Sequence, residues 1–165
     1  MKKLFLMLIF FLSVTAHAGD KMRVSYTQLP TLSIETPADW VVYEKRIFGV
    51  EPKNREIDVA GTVYRAGEKT LSEFTKDKHE STLAKMSWYK PVEEAKELKG
   101  LFYPAFIAEY EGVWPNESEP TRYVVTTFKV DGYFLSLTFT GLRKKLNNYR
   151  SIIKDIYSSV KLENS

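Results

Sequence analysis

The sequence predicts an α+β fold: an antiparallel β-sheet with a middle helix and a C-terminal helix packed against it. Three observations carry that prediction. Residues 122–130 and 133–140 alternate as two strands around Asp131-Gly132, a two-residue turn of the kind that closes a hairpin. Residues 146–160 place Leu146, Tyr149, Ile153, Ile156, Tyr157 and Val160 on one helical face, the spacing of a helix laid on a sheet. Strands then precede helix without a regular βα alternation, which favours a segregated α+β arrangement over a doubly wound one.

The remaining elements follow in order. Leu32-Ser33-Ile34 alternates like a half-buried strand, stops at Thr36-Pro37, turns at Ala38-Asp39 and resumes at Trp40-Val41-Val42-Tyr43. Charged, Gly and Pro residues over 44–56 predict a loop. Ile57, Val59, Gly61 and Val63 share one face of the next strand, where Gly61 marks a bulge or a close backbone approach. Thr70-Leu71-Ser72-Glu73 has capping-box spacing and predicts a helix over 71–85. The apolar stripe of that helix is thin (Leu71, Phe74, Leu83), so it belongs on the surface. From Ser87 the reading returns to strands: Trp88-Tyr89 precedes Pro91, a charged segment runs to Lys99-Gly100, and the aromatic-rich stretch 101–113 reads as a long strand that tolerates Pro104 only at an edge or irregularity. Residues 114–120, WPNESEP, form an acidic turn-rich loop. The polar side of the final helix is set by Asn148, Ser151, Asp155 and Ser159.

The opening residues, MKKLFLMLIFFLSVTAHAGD, predict an address. Lys2 and Lys3 precede an unbroken apolar run over 4–12, and Ala16-His17-Ala18 has the small-x-small pattern of a cleavage site. The run is too short to span a bilayer core, which takes about 20 residues. Residues 1–18 are therefore expected to be a cleaved signal, with residues 19–165 a single exported domain, periplasmic by preference and extracellular as the other option. The chain has no cysteine, hence no lipid attachment site and no disulfide. With no later apolar run, the mature chain is expected to carry no transmembrane segment or lipid anchor. Loss of Lys2 and Lys3 leaves 24 − 2 basic against 21 acidic residues, a net charge near +1. That balance argues against a nucleic-acid partner, since phosphate binding needs surplus positive charge. Stability must come from the core, and ten Phe, ten Tyr and three Trp supply it.

Here the residues resemble a known group. LSIETPADW looks like the strand, Pro, turn and Trp opening of the PsbP-like, Mog1-like and DcrB-like proteins. The capped central helix fits the same pattern, as does DGYFLSLTF followed by YRSIIKDIYSSVKL, so the resemblance spans residues 31–162. It implies a Mog1/PsbP-like sandwich. The group's members serve as accessory, chaperone-like or binding proteins with no shared active site. This chain departs from the lipoproteins of the DcrB type in lacking an acylated cysteine.

No GxSxG, HExxH, P-loop or dinucleotide motif occurs, and beyond the leader the single histidine is His79, read as an exposed helical residue. Glu109 and Glu111 share a strand face. They could bind a hard cation or act as acid and base, but the tight loops of calcium sites are missing, so they read as solvated charge. No catalytic group, metal or cofactor is expected. Candidate contacts for a ligand or partner are Trp114, Asn116, Glu117 and Glu119 in the acidic loop, and Arg143, Lys144 and Lys145 at the start of the last helix. Trp114 is either a partner contact or an aromatic folded back on the sheet edge. Three cations at a helix N-terminus oppose its dipole. Either an anion sits among them, or the helix starts later with Asn147 or Asn148 as cap, and the later start needs no extra molecule. The functional expectation is a non-catalytic envelope protein that binds a protein or small ligand. The alternatives are an immunity protein against a periplasm-delivered toxin, and an envelope-polymer hydrolase working through Glu109 and Glu111.

Overall fold

The structure, a computed structural model, describes residues 12–16, 21–26, 31–43 and 48–163. Its frame is an antiparallel sheet of seven strands: β4 (Val41–Tyr43), β5 (Phe48–Glu51), β6 (Ile57–Arg65), β7 (Trp88–Leu98), β8 (Ala105–Val113), β9 (Thr121–Val130) and β10 (Tyr133–Leu142). Their spatial order is β4-β5-β6-β10-β9-β8-β7. A second sheet joins β1 (Leu12–Ala16), β2 (Lys21–Tyr26), β3 (Thr31–Pro37) and β11 (Lys161–Glu163), also antiparallel. The helices are α1 (Leu71–Leu83), α2 (Arg143–Asn148) and α3 (Arg150–Ser158).

The hairpin β9–β10 is the centre of the large sheet, and its turn is as read from the sequence. Asp131 and Gly132 both have positive φ, 39° and 77°, the primed geometry that matches strand twist. Alternation then divides the side chains between two faces. One face presents Val124, Phe128 and Val130 from β9, Leu135, Leu137 and Phe139 from β10, and Ile57 and Val59 from β6. Leu146, Ile153, Ile156 and Val160 lie on it, and Trp40 and Ile34 close the end of the same core. Phe128, Phe139, Leu137 and Leu146 are among its fully buried side chains.

The other face is packed less completely. The predicted capping box is present: the Thr70 hydroxyl accepts from the Glu73 amide, and the Glu73 carboxylate accepts from the Thr70 amide. Phe74 stacks on Phe134 with ring centroids 4.3 Å apart, which with Leu71 pins the first half of α1.

Several expectations need correction. Within the predicted loop 44–56, residues 48–51 are a strand, β5, joining β4 to β6. The charged segment before Lys99 is the eleven-residue edge strand β7, which pairs with β8 on one side only. Its composition disguised it, because almost every side chain is exposed and the pairing register shifts twice. Pro91 is accommodated because an edge strand has no second neighbour to receive its missing amide. No register shift occurs at Gly61, which pairs regularly with Leu137 and Phe48. The last helix does not wait for Asn147 or Asn148. It begins at Arg143 after Leu142, without a side-chain cap, and is interrupted at Tyr149 (φ −102°, ψ 9°) before α3. Ser159 is not on a solvent face: its hydroxyl accepts from the Glu35 amide at 2.7 Å, tying α3 to β3.

Of the predicted leader, residues 1–11 and 17–18 lie outside the described residues, and 12–16 form β1 along β2. Among the described residues no helix is long and apolar enough to cross a membrane.

Removing the cap hydroxyl by Thr70→Ala is expected to cost about 1 kcal/mol of stability. Urea denaturation read by far-UV circular dichroism measures it directly.

Candidate functional site

A helix about 10 Å across covers about two strands spaced at ~4.8 Å. On its face of the sheet α1 lies over β8 and β9, held at its far end by Leu83 and Met86 against Tyr110, Tyr123 and Val125. The rows of β6 and β10 beside it carry small and hydroxylated side chains: Asp58, Ala60 and Thr62 facing Thr140, Thr138 and Ser136 in register. Together they make a groove of about 470 Å³, floored by these six residues and walled by α1 on one side.

The α1 wall contributes Lys78, His79, Thr82 and Lys85. His79 leaves the exposed position expected of it. Its ring lies 5.7 Å from that of Tyr110, and its buried Nε2 has no hydrogen-bond partner. Burial, helped by the charge of Lys78, pushes its pKa down to about 4, so the imidazole is neutral at pH 7. Lys78 is already engaged, reaching the Tyr64 hydroxyl with its ammonium 4.7 Å from the ring centroid. Beneath the same helix Tyr110 and Tyr123 stack with centroids 5.1 Å apart, and burial raises the pKa of both phenols. The Trp114 indole N–H donates to the Tyr123 hydroxyl, so this tryptophan is folded back toward the sheet, with its ring lining the groove. At the same end Asp58 is half-buried. Its Oδ1 has no partner, and burial raises its pKa. Neither Asp58 Oδ1 nor His79 Nε2 meets a nucleophile, so no activated hydroxyl is assembled through these two atoms.

The sequence-predicted contacts do not converge. Trp114 and Glu117 line the groove, Asn116 occupies the turn beside them at φ 78°, and Glu119 is exposed. Arg143, Lys144 and Lys145 lie on α2, on the opposite side of the sheet, and all three are exposed. No anion is needed to hold Lys145, which pairs with Glu56.

Glu109 and Glu111 are the clearest correction, since they are buried, with 5% and 7% exposure. Arg122, also buried, bridges them through Nη1 to Glu109 at 3.0 Å and Nη2 to Glu111 at 3.1 Å. Arg150 of α3 adds a bond to Glu109 at 2.5 Å, and Lys90 of β7 approaches Glu111 at 3.3 Å. Burial alone would raise the pKa of Glu111, but Lys90 and Arg122 outweigh it and hold the carboxyl below its ordinary value. Carboxylates held this way by cations are structural ties between sheet and helix, poorly placed to accept a proton or a metal. No group of three or more potential metal ligands occurs among the described residues.

Comparison with known proteins supplies the context for this groove. Neither a protein-family model nor a curated protein matches the chain. Solved structures do. The cyanobacterial PsbP of Synechocystis sp. PCC 6803 superposes with a TM-score of 0.64 at 13% identity, over 90% of this chain and 97% of that one. This chain has the PsbP/Mog1-like fold. LpqN, involved in cell envelope biogenesis in Mycobacterium tuberculosis, matches with a TM-score of 0.60 at 10% identity, over 94% of this chain and 92% of its own. The Ran-binding protein Mog1p of Saccharomyces cerevisiae gives 0.59 at 7% identity, with 93% and 96% covered. At these identities the likeness is one of fold.

Two outcomes test this description. Arg122→Ala leaves two buried carboxylates without their shared counter-ion and is expected to cost about 3–5 kcal/mol by chemical denaturation. His79 sets a pH dependence. The unfolded chain protonates it near its ordinary 6.5 and the folded chain only near 4, so the unfolded state binds more protons between those values. Stability attributable to His79 therefore falls as pH drops from 6.5 to 4 and falls no further below. The melting temperature of His79→Gln, followed over the same range, is expected to decline less steeply than that of the parent.

Proposed function

We propose that this chain is an exported, periplasmic, non-catalytic binding protein whose ligand occupies the groove between α1 and the β6–β10 floor. The observation that carries the reading is that two of the five buried polar atoms without partners among the described residues, Asp58 Oδ1 and His79 Nε2, belong to side chains lining the groove. Buried polar atoms in folded proteins are nearly always satisfied, and a bound molecule would complete both. A cleft of this volume falls in the range of small-molecule sites, about 300–1,000 Å³. The fold agrees with a binding role, for it is shared with a Ran-binding protein and with a protein of cell envelope biogenesis.

Export rests on residues 1–18. Cleavage after Ala18 would remove β1 and leave β2 as an outer strand of the smaller sheet. Among the described residues, the core made by α2, α3 and the large sheet includes none of the leader.

Expression of the full chain in a Gram-negative host, followed by fractionation and intact-mass measurement, is expected to give a periplasmic product beginning at Gly19. A cytoplasmic product that keeps the leader would refute export. Thermal-shift measurement on the purified product with envelope extract is expected to raise the melting temperature, and to do so less in Asp58→Ala. Reproducible turnover of an envelope component, lost in Asp58→Ala or His79→Gln, would refute the non-catalytic reading.

A further inference from the structure

The lining of the groove restricts what it can hold, and on the binding reading above we propose that its ligand is an uncharged polyhydroxylated molecule of about one or two sugar rings. Charge makes the first cut. Lys78 is taken up by Tyr64, and His79 is neutral at pH 7. Lys85 and Glu117 sit at the exposed rim with opposite signs. The charge set deepest is that of Asp58, which repels a phosphate or carboxylate entering beside it. A cationic ligand would gain Asp58 but meet Lys78 and Lys85 along the α1 wall. The balance favours a neutral occupant.

Hydrogen bonding makes the second cut. Thr62, Ser136, Thr138 and Thr140 present a row of hydroxyls, each able to donate and accept. Asp58 Oδ1 can only accept while ionised, and the neutral imidazole offers one further site at Nε2. A ligand whose own groups both donate and accept, at close and regular intervals, satisfies such a floor. Alcohols on a sugar ring do this, whereas an apolar ligand would strand every hydroxyl it covered. The third cut is the wall of Trp114, Tyr110 and Tyr123, which gives the C–H face of a ring an apolar surface. Asp58 and His79, reaching in from the floor and from α1, would be the anchors.

The test titrates the purified chain with cellobiose, maltose and N,N′-diacetylchitobiose by calorimetry, with glucose 6-phosphate against glucose as the charge comparison. Saturable binding of at least one neutral disaccharide is expected, weakened about tenfold by Asp58→Ala and by His79→Ala. That is the scale of one lost hydrogen bond to a charged or buried partner. Asp58→Asn keeps the side-chain shape and is expected to bind between the parent and the alanine variant, which separates a lost contact from a lost fold. Absence of saturable binding by all three sugars overturns the proposal, as does tighter binding of the sugar phosphate than of glucose, or unchanged affinity in both folded alanine variants. A thermal shift with envelope extract that persists when the sugars fail leaves the binding reading standing and removes only the ligand class.

Discussion

The structure depends on a mismatch of width, in which seven strands at about 4.8 Å spacing span roughly 30 Å while any single helix covers about a third of that. On one face the mismatch is resolved by giving nearly every inward position to an aliphatic or aromatic side chain and laying α2, α3 and the β3 end across it. On the other face, among the described residues, only α1 is available, with two short apolar contacts at its ends. The strands it leaves uncovered cannot be apolar without exposing a sticky surface, and they are built from Ala, Ser and Thr. The groove follows from this economy of helices, and its hydroxylated floor is what a bare sheet face requires in water.

The covered face has a polar exception that explains how α3 is oriented. Apolar packing along Ile153 and Ile156 is non-directional and would tolerate small rotations of the helix. Arg150 reaching Glu109 removes that freedom, because the carboxylate is itself fixed by Arg122 on the neighbouring strand. Buried ion pairs seldom add much net stability, since desolvation offsets the attraction. Here the cluster links β7, β8, β9 and α3 at defined points, a role that an oily contact fills poorly.

How far this could be read in advance differs by element. The hairpin, the capping box and the amphipathic last helix rest on local signals: turn residues with positive φ, reciprocal caps and a 3.6-residue period. The hairpin and the capping box appear at the predicted places; the last helix buries the predicted face but starts at Arg143 and breaks at Tyr149. What stayed hidden depends on pairing between distant segments. Glu109 and Glu111 looked solvated because nothing local to them announces that Arg122 lies across the ladder. Strand β7 was obscured because an edge strand exposed on both faces shows no alternation. His79 seemed to lie on an outward helical position, and only the placement of α1 over Tyr110 turns it inward. The floor carried a faint trace, since Asp58-x-Ala60-x-Thr62 and Ser136-x-Thr138-x-Thr140 are each the polar half of an alternating strand. That β6 and β10 are neighbours is the long-range fact that joins those halves into one surface.

The twice-shifted outer strand β7 has a consequence for the molecule in a crowded compartment. Open ladders invite other chains to add to them, and a regular eleven-residue one would be an inviting template for self-association. With Pro91 lacking an amide, with Glu93, Glu94 and Glu97 along the rim, and with the two slips in register, no incoming strand finds a continuous run of matched donors and acceptors. The far border, β4, is three residues long and too brief to serve as a seed. Both ends of the large sheet are thereby closed to fibre-like growth, without a helix being used to cover either.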